Sequence, residues 1–294
     1  MYKKKAVQAG LVLLGLLILS GCGKKREKEE EVKAQAKETV GIAVDKKKTY
    51  RFVDVYGECY EAELILDVPA CTYDMESISD ENGYKYYRDN AGNVISRLGI
   101  DVSEYQSQID WVQVRESGID YAMIRLGYRG YGQAGTLVED AMFRQHMAGA
   151  ADAGLDVGVY FFSQAVSKQE VLEEVQFVLE RLQEYEITCP VVFDTEEIKF
   201  DTARTDHLTA EEITDHCIIF CDAIKEAGYD TMFYANMKWM AFRMELDRLS
   251  GYEKWYADYE PLPQCPYDFA MWQYTETGKV PGIEGNVDIN VWFP

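Results

Sequence analysis

The sequence predicts an α/β fold: an irregular, TIM-like (β/α) barrel of about eight strands and about five helices, preceded by a small β-rich segment. Three observations carry this. From residue 98 onward, short β-branched or aromatic runs alternate with amphipathic stretches. Gly118, Gly154 and Gly228 each follow a helical stretch, where a C′ residue adopts left-handed backbone. An open doubly wound sheet usually brings a Gly-rich phosphate loop after its first strand. Here the first strand exits through Gly99-Ile100-Asp101-Val102-Ser103, which offers an acid instead.

The elements follow in order. Residues 50–66 alternate loosely between apolar and polar around Tyr56-Gly57, which predicts a short hairpin. Residues 80–93, rich in Asp, Asn, Gly and Tyr, predict loop or a second small β element. Barrel strands are predicted at 98–102, 121–126, 157–162, 190–194, 231–234, 254–257, 269–273 and 287–291. Helices are predicted at 110–117, 139–153, 168–185, 209–227 and 238–249. Thr209-Ala210-Glu211-Glu212 spells a capping box ahead of the fourth helix. The last strands are joined by short polar connections, so the final turns of the barrel have lost their helices.

The amino terminus reads as an address. Lys3, Lys4 and Lys5 precede an uncharged apolar run over 9–19, too short for the roughly 20 residues of a membrane-spanning helix. This is a signal-peptide pattern. Leu19-Ser20-Gly21-Cys22 resembles the bacterial lipobox, which implies cleavage and lipidation at Cys22. The expected organisation is therefore a lipoprotein signal peptide at 1–22, a charged tether at 23–48, a β-rich lead-in at 49–97 and the barrel at 98–294. The tether is Lys/Glu-rich with few large apolar groups, so disorder or weak helicity is expected. Lys24-Lys25-Arg26 beside the anchor would favour anionic headgroups, giving the two signals that stable anchoring needs. The expected location is the outer face of a bacterial cell membrane.

Charge is distributed unevenly. The chain carries 51 acidic and 30 basic side chains, a net −21. Residues 1–98 are balanced at 16 of each, whereas 99–294 hold 35 acids against 14 bases. A domain that acidic is a poor partner for nucleic acid, which needs clustered Lys and Arg. The chain, at 47% hydrophobic and 13% aromatic, is too apolar for this region to be a disordered acidic tail. Six cysteines follow Cys22. Cys59 and Cys71 are near enough in sequence for a hairpin bridge, and only geometry decides it. Cys217 and Cys221 suit neither a relaxed disulfide nor a complete metal site. No zinc-ligand spacing involves His146, His207 or His216. His216-Cys217 reads as a buried helix Cys beside a surface His rather than a thiol nucleophile. No metal or cofactor is expected, and the protein is expected to be a monomer.

Catalytic groups of such barrels sit at the carboxyl ends of strands. The ionisable residues there are Asp101, then Asp194 and Glu196 after the run Pro190–Phe193, and Asp288 on the last strand. Asp194 and Glu196 are two residues apart and share a face, toward the barrel mouth. Two carboxylates so placed cannot both ionise easily, and one stays protonated. A solvated acidic turn is the plain alternative for the pair alone.

More of the sequence weighs against that alternative. Gly99-Ile100-Asp101-Val102-Ser103, Asp110-Trp111, Ala122-Met123-Ile124-Arg125, Gly158-Val159-Tyr160 and Asp194-Thr195-Glu196 occur in order. They are followed by Tyr234-Ala235-Asn236, Trp255-Tyr256-Ala257, Trp272-Gln273-Tyr274 and Val287-Asp288-Ile289-Asn290. Together these motifs resemble glycoside hydrolase family 25, the Chalaropsis-type muramidases, over about residues 97–293. The resemblance implies hydrolysis of the β-1,4 bond between N-acetylmuramic acid and N-acetylglucosamine in peptidoglycan glycan strands. It implies Glu196 as general acid, Asp194 as its partner, and Asp101 and Asp288 as the two further acids. Tyr160, Tyr234, Trp255, Trp272 and Gln273 are candidate sugar contacts, with core packing as the alternative for each aromatic. Tyr128 and Tyr131, in a Gly-containing loop, are further candidates for the cleft wall. Asp194 and Glu196 on one side of the bond would suit a mechanism in which Asp194 orients the substrate's own acetamido group. Two other classes compete: a non-catalytic glycan-binding lipoprotein on the same scaffold, and a structural envelope lipoprotein working through 49–97. The full acid set favours an enzyme.

Overall fold

The computed structural model describes residues 48–199 and 201–294. The expected signal peptide, Cys22 and nearly all of the expected tether lie outside them. Two hairpins open the described chain. Strand β1 (Thr49–Val53) pairs antiparallel with β2 (Cys59–Glu63), and β3 (Ile78–Glu81) with β4 (Tyr84–Tyr87). Asp54 Oδ1 shapes the first turn by accepting from the amides of Tyr56 and Glu58. The second turn is Asn82-Gly83, both at positive φ, which suits a two-residue hairpin.

The barrel strands are β5 (Arg97–Val102), β6 (Tyr121–Arg129), β8 (Asp156–Phe162), β9 (Val191–Asp194), β10 (Thr231–Asn236), β11 (Glu253–Ala257), β12 (Met271–Gly278) and β13 (Val287–Trp292). A short β7 (Leu137–Glu139) hangs on the far end of β6. The eight run in the order β5-β6-β8-β9-β10-β11-β12-β13, and β13 closes back onto β5. Neighbours are parallel except around β13, which is antiparallel to both β12 and β5. Helices α1 (Trp111–Glu116), α2 (Phe143–Asp152), α3 (Lys168–Leu182), α4 (Ala210–Glu226) and α5 (Met237–Phe242) pack outside. The Thr209–Glu212 capping box is formed, each residue's side chain satisfying the other's amide.

Inside the barrel, Tyr121, Met123, Val192, Met232, Trp255 and Met271 form a packed plug. Gly99 is required here, because a Cβ would lie 2.2 Å from the Tyr121 ring. Outside, Asp110 caps α1 through the Gln113 amide. Trp111 lies so close to Gly149 of α2 that a Cβ there would fall 2.2 Å from its ring. The lead-in shares the outer core: Phe52, Ala62 and Val68 are buried in it. Gln264 both donates to Val53 O and accepts from Val53 N. Tyr73 stacks on Phe293 at 4.4 Å.

Some elements differ from expectation. The predicted helix at 139–153 starts only at Phe143, because Leu137–Glu139 pairs with β6 and Asp140 caps the Met142 amide. The predicted helix at 238–249 stops at Phe242. The chain then turns back onto α4, where the Glu245 amide donates to Thr214 Oγ1. All six described cysteines are free thiols, Cys59 and Cys71 included. His216 is buried rather than at the surface.

Candidate active site

The rim at the carboxyl ends of the parallel strands gathers the ionisable residues. Asp101 lies near the end of β5, Asp194 ends β9, and Glu196 follows two residues later. Asp288 reaches the same rim because β13 runs the opposite way and brings its amino end there. Its Cα partner across the ladder is Asp101. The four acids line one cleft of about 490 Å³. Tyr160, Tyr234, Trp255 and Gln273 line it too, as do Tyr128 and Tyr131 of the Gly-containing loop.

Trp272 does not belong to the cleft. It is fully buried in the outer core, its indole N–H donating to Asp258 O at 2.7 Å. The cause is strand alternation: Gln273 points inward, so its neighbour Trp272 must point outward, against the lead-in. Lys85 of β4 sits 5.5 Å from the centre of its ring.

A hydrogen-bond network holds Asp101 in place. Its Oδ2 accepts from Gln273 Nε2 at 2.9 Å and Asn290 Nδ2 at 2.8 Å. The Gln273 amide is fixed in turn by Tyr234 OH at 3.0 Å and Tyr259 OH at 2.9 Å, both donating to Oε1. Trp255 Nε1 donates to Asn290 Oδ1 at 2.8 Å. The indole, a donor only, turns the Asn290 amide with its NH₂ toward Asp101, and the Gln273 amide presents its NH₂ to the same carboxylate. The aromatic floor is edge-on: Tyr234 and Tyr160 both meet Trp255 in T-shaped contacts. On the wall, Arg125 bonds Asp140 and Glu104 and lies against the rings of Tyr105 and Tyr128.

Burial dominates the electrostatics. It pushes the Glu196 carboxyl up to about 7, helped by the negative charges of Asp101 and Glu276. It raises Asp194 well above the carboxylate range, with Glu196 and Asp101 adding to the rise and Arg125 opposing it. Asp288 is pushed up to about 9 by burial and by Asp101. Asp101 is also raised by burial, while its bonds from Asn290 and Gln273 pull it down. Four carboxyls this close share protons, and the cluster keeps at least one at neutral pH. Asp194 Oδ1 is buried with no hydrogen-bond partner among the described residues, an acceptor facing the need for a donor.

Sequence reasoning missed several cleft residues. Tyr105 and Gln106 lie in the turn after β5, Tyr259 follows β11, and Glu276 rides on an extension of β12 beyond its predicted end. The Asn290 role was legible only as part of the Val287–Asn290 motif. Among the described residues no group of three or more His, Cys, Asp and Glu is arranged to hold a metal ion.

The cleft is thus acid-rich and aromatic-floored, and it opens in the mouth of a β/α barrel. Residues 100–283 match glycosyl hydrolases family 25. The chain belongs to that family. It is 22% identical over 193 residues to the autolytic lysozyme of Clostridium acetobutylicum, covering 65% of this chain and 54% of that protein. It is 24% identical over 201 residues to lysozyme M1 of Streptomyces globisporus, covering 65% of this chain and 66% of the relative. The chain thus spans about half of the first relative's length and about two thirds of the second's. A family 25 glycosyl hydrolase from Bacillus anthracis shares the fold, with a TM-score of 0.57 at 20% identity, over 73% of this chain and 95% of that one. The matched stretch contains Asp101, Asp194 and Glu196. Asp288 lies just beyond it and is joined to the site by its ladder pairing with Asp101.

Proposed function

We propose that the protein is a peptidoglycan hydrolase, an N-acetylmuramidase that cleaves the β-1,4 bond between N-acetylmuramic acid and N-acetylglucosamine. One observation carries this reading: Glu196, with its carboxyl raised to about 7, stands in a glycan-sized cleft beside Asp194. A carboxyl so raised holds a proton near neutrality and can give it to a leaving glycosidic oxygen. The names of the two lysozyme relatives support a wall substrate.

Glu196 protonates the leaving oxygen and then activates the incoming water. Asp194 lies on the same side of the site, two residues away, whereas two-carboxylate glycosidases usually flank the scissile bond. Its unpartnered Oδ1 suits an acetamido N–H. In this reading Asp194 accepts that N–H and orients the substrate's own carbonyl oxygen toward the anomeric carbon. Asp101 and Asp288 hold charge and water beneath the sugar. Tyr160, Tyr234, Trp255 and Gln273 shape its floor.

Proton NMR of a defined glycan during digestion tests both parts. The wild-type protein releases the retained anomer first, and Glu196→Gln releases none while its circular dichroism is unchanged. First release of the inverted anomer would rule out the acetamido route. Cleavage by Glu196→Gln at a comparable rate would remove Glu196 as the acid. We further propose that Cys22 carries a lipid and holds the enzyme to the outer face of the cell membrane, on the strength of the Leu19–Cys22 pattern.

A further inference from the structure

The hairpin of β1 and β2 lies outside the stretch that matches the family, yet its turn approaches the loop that follows Glu196. A second groove runs between this turn and the loop that follows Glu196. It is lined by Asp54, Tyr56 and Tyr60 from the hairpin side, and by Glu197, Ile198 and Lys238 from the barrel side. Ile198 lines both this groove and the catalytic cleft, so the two adjoin at that residue, two positions after Glu196. Proximity shows in the electrostatics as well: burial and the charges of Glu196 and Glu197 raise the Tyr56 phenol.

Three features of the groove suit a sugar. Tyr56 is 41% exposed although Lys199 lies 4.1 Å from its ring centre, so a large aromatic surface stands at the rim. Asp54, 6% exposed, spends Oδ1 on the turn amides and keeps Oδ2 without a hydrogen-bond partner. A buried carboxylate oxygen of that kind calls for an O–H or N–H donor. The third feature is charge. The groove holds four carboxylates, Asp54, Glu58, Glu197 and Asp201, against two lysines, and Lys238 already bonds Glu197 at 2.8 Å. That balance disfavours the carboxylate-bearing stem peptide of peptidoglycan and favours a neutral hexosamine with hydroxyl and amide donors.

We propose that the lead-in hairpin and the loop after Glu196 form an additional N-acetylhexosamine subsite, with Tyr56 as its ring platform and Asp54 Oδ2 as its acceptor. The proposal rests on the reading of the cleft as a glycan site and extends it: the lead-in lengthens the strand that the enzyme grips.

Calorimetric titration tests it. The full chain carrying Glu196→Gln is titrated with peptide-free glycans of two, three and four alternating disaccharide repeats. Affinity is expected to rise with length. Adding Tyr56→Ala or Asp54→Asn is expected to cut that gain about threefold to tenfold, the worth of a ring contact or one hydrogen bond. Asn at position 54 keeps an acceptor for the turn, and Tyr56→Phe keeps the ring and most of the gain. Near-ultraviolet circular dichroism checks the fold of each variant. Variants that bind the longest glycan as tightly as their parent would overturn the subsite. So would a length gain seen only when stem peptides are present. A wild-type protein that binds and cleaves no glycan would instead contradict the muramidase reading itself. Cleavage with length-independent affinity would contradict the subsite alone.

Discussion

As the proposed general acid, Glu196 would work only while it holds a proton, so its ionisation should shape the rate. Its pKa is raised in the folded cleft to about 7. The protonated form, the one the proposed mechanism needs, therefore dominates below that value and is lost as pH rises through it. The prediction is a fall in kcat/KM on the alkaline side, centred near 7. Glu276 contributes negative charge to that rise. Glu276→Gln should therefore move the alkaline limb to lower pH while the limb stays present, as read from a pH profile on a soluble glycan. A limb that does not move would show that Glu276 has no influence on the acid. Residue-level legibility followed the same physics. Asp101, Asp194, Glu196 and Asp288 could be singled out because they lie at strand ends and within the ordered motifs that resemble the family; the Asp194/Glu196 pair alone reads equally well as a solvated acidic turn. Trp272 was misplaced because composition alone does not show which face of β12 turns inward. Once Gln273 is known to bond Asp101, alternation places Trp272 outside. Tyr259 and Glu276 carry no local signal, since a tyrosine or glutamate in a polar connection is ordinary.

At the scale of elements, the strands and outer helices were legible because each satisfies a local rule: apolar runs, caps and C′ glycines. What was not legible came from pairing between distant segments. The direction of β13 is one case, and it decides that Asp288 joins the acid rim. The early end of α5, fixed by a bond to Thr214, is another. Asn82-Gly83 was a readable hairpin turn that the polar composition around it obscured. The close fit of β5 to β6 gives a test at this scale. Gly99→Ala would drive a methyl group into the Tyr121 ring and should destabilise the fold by about 1–3 kcal/mol, the usual cost of overpacking. Thermal unfolding should show Tm lower by several degrees, with activity lost in step because Asp101 is two residues away. An unchanged Tm would mean that β5 and β6 are less tightly apposed than the geometry indicates.

For the whole molecule, charge and tethering belong together. The 35 acids of 99–294 far outnumber the six that line the cleft, so most of the excess is read as solvated surface that resists adhesion to anionic polymers. So acidic a protein would drift from an anionic envelope unless held, and Cys22 is the residue proposed to hold it. Cys22→Ser should shift the protein from the membrane fraction to the medium or the soluble fraction on cell fractionation. Continued membrane association of that variant would argue against the anchor. The lead-in has its own place in this scheme, since its hairpins share the barrel's outer core and its first turn abuts the loop after Glu196. The claim on which the rest depends is the bond that is cut. Mass spectrometry of purified peptidoglycan after digestion reads it directly: fragments ending in reducing muramic acid are predicted, and fragments ending in reducing glucosamine, or intact strands, would contradict it.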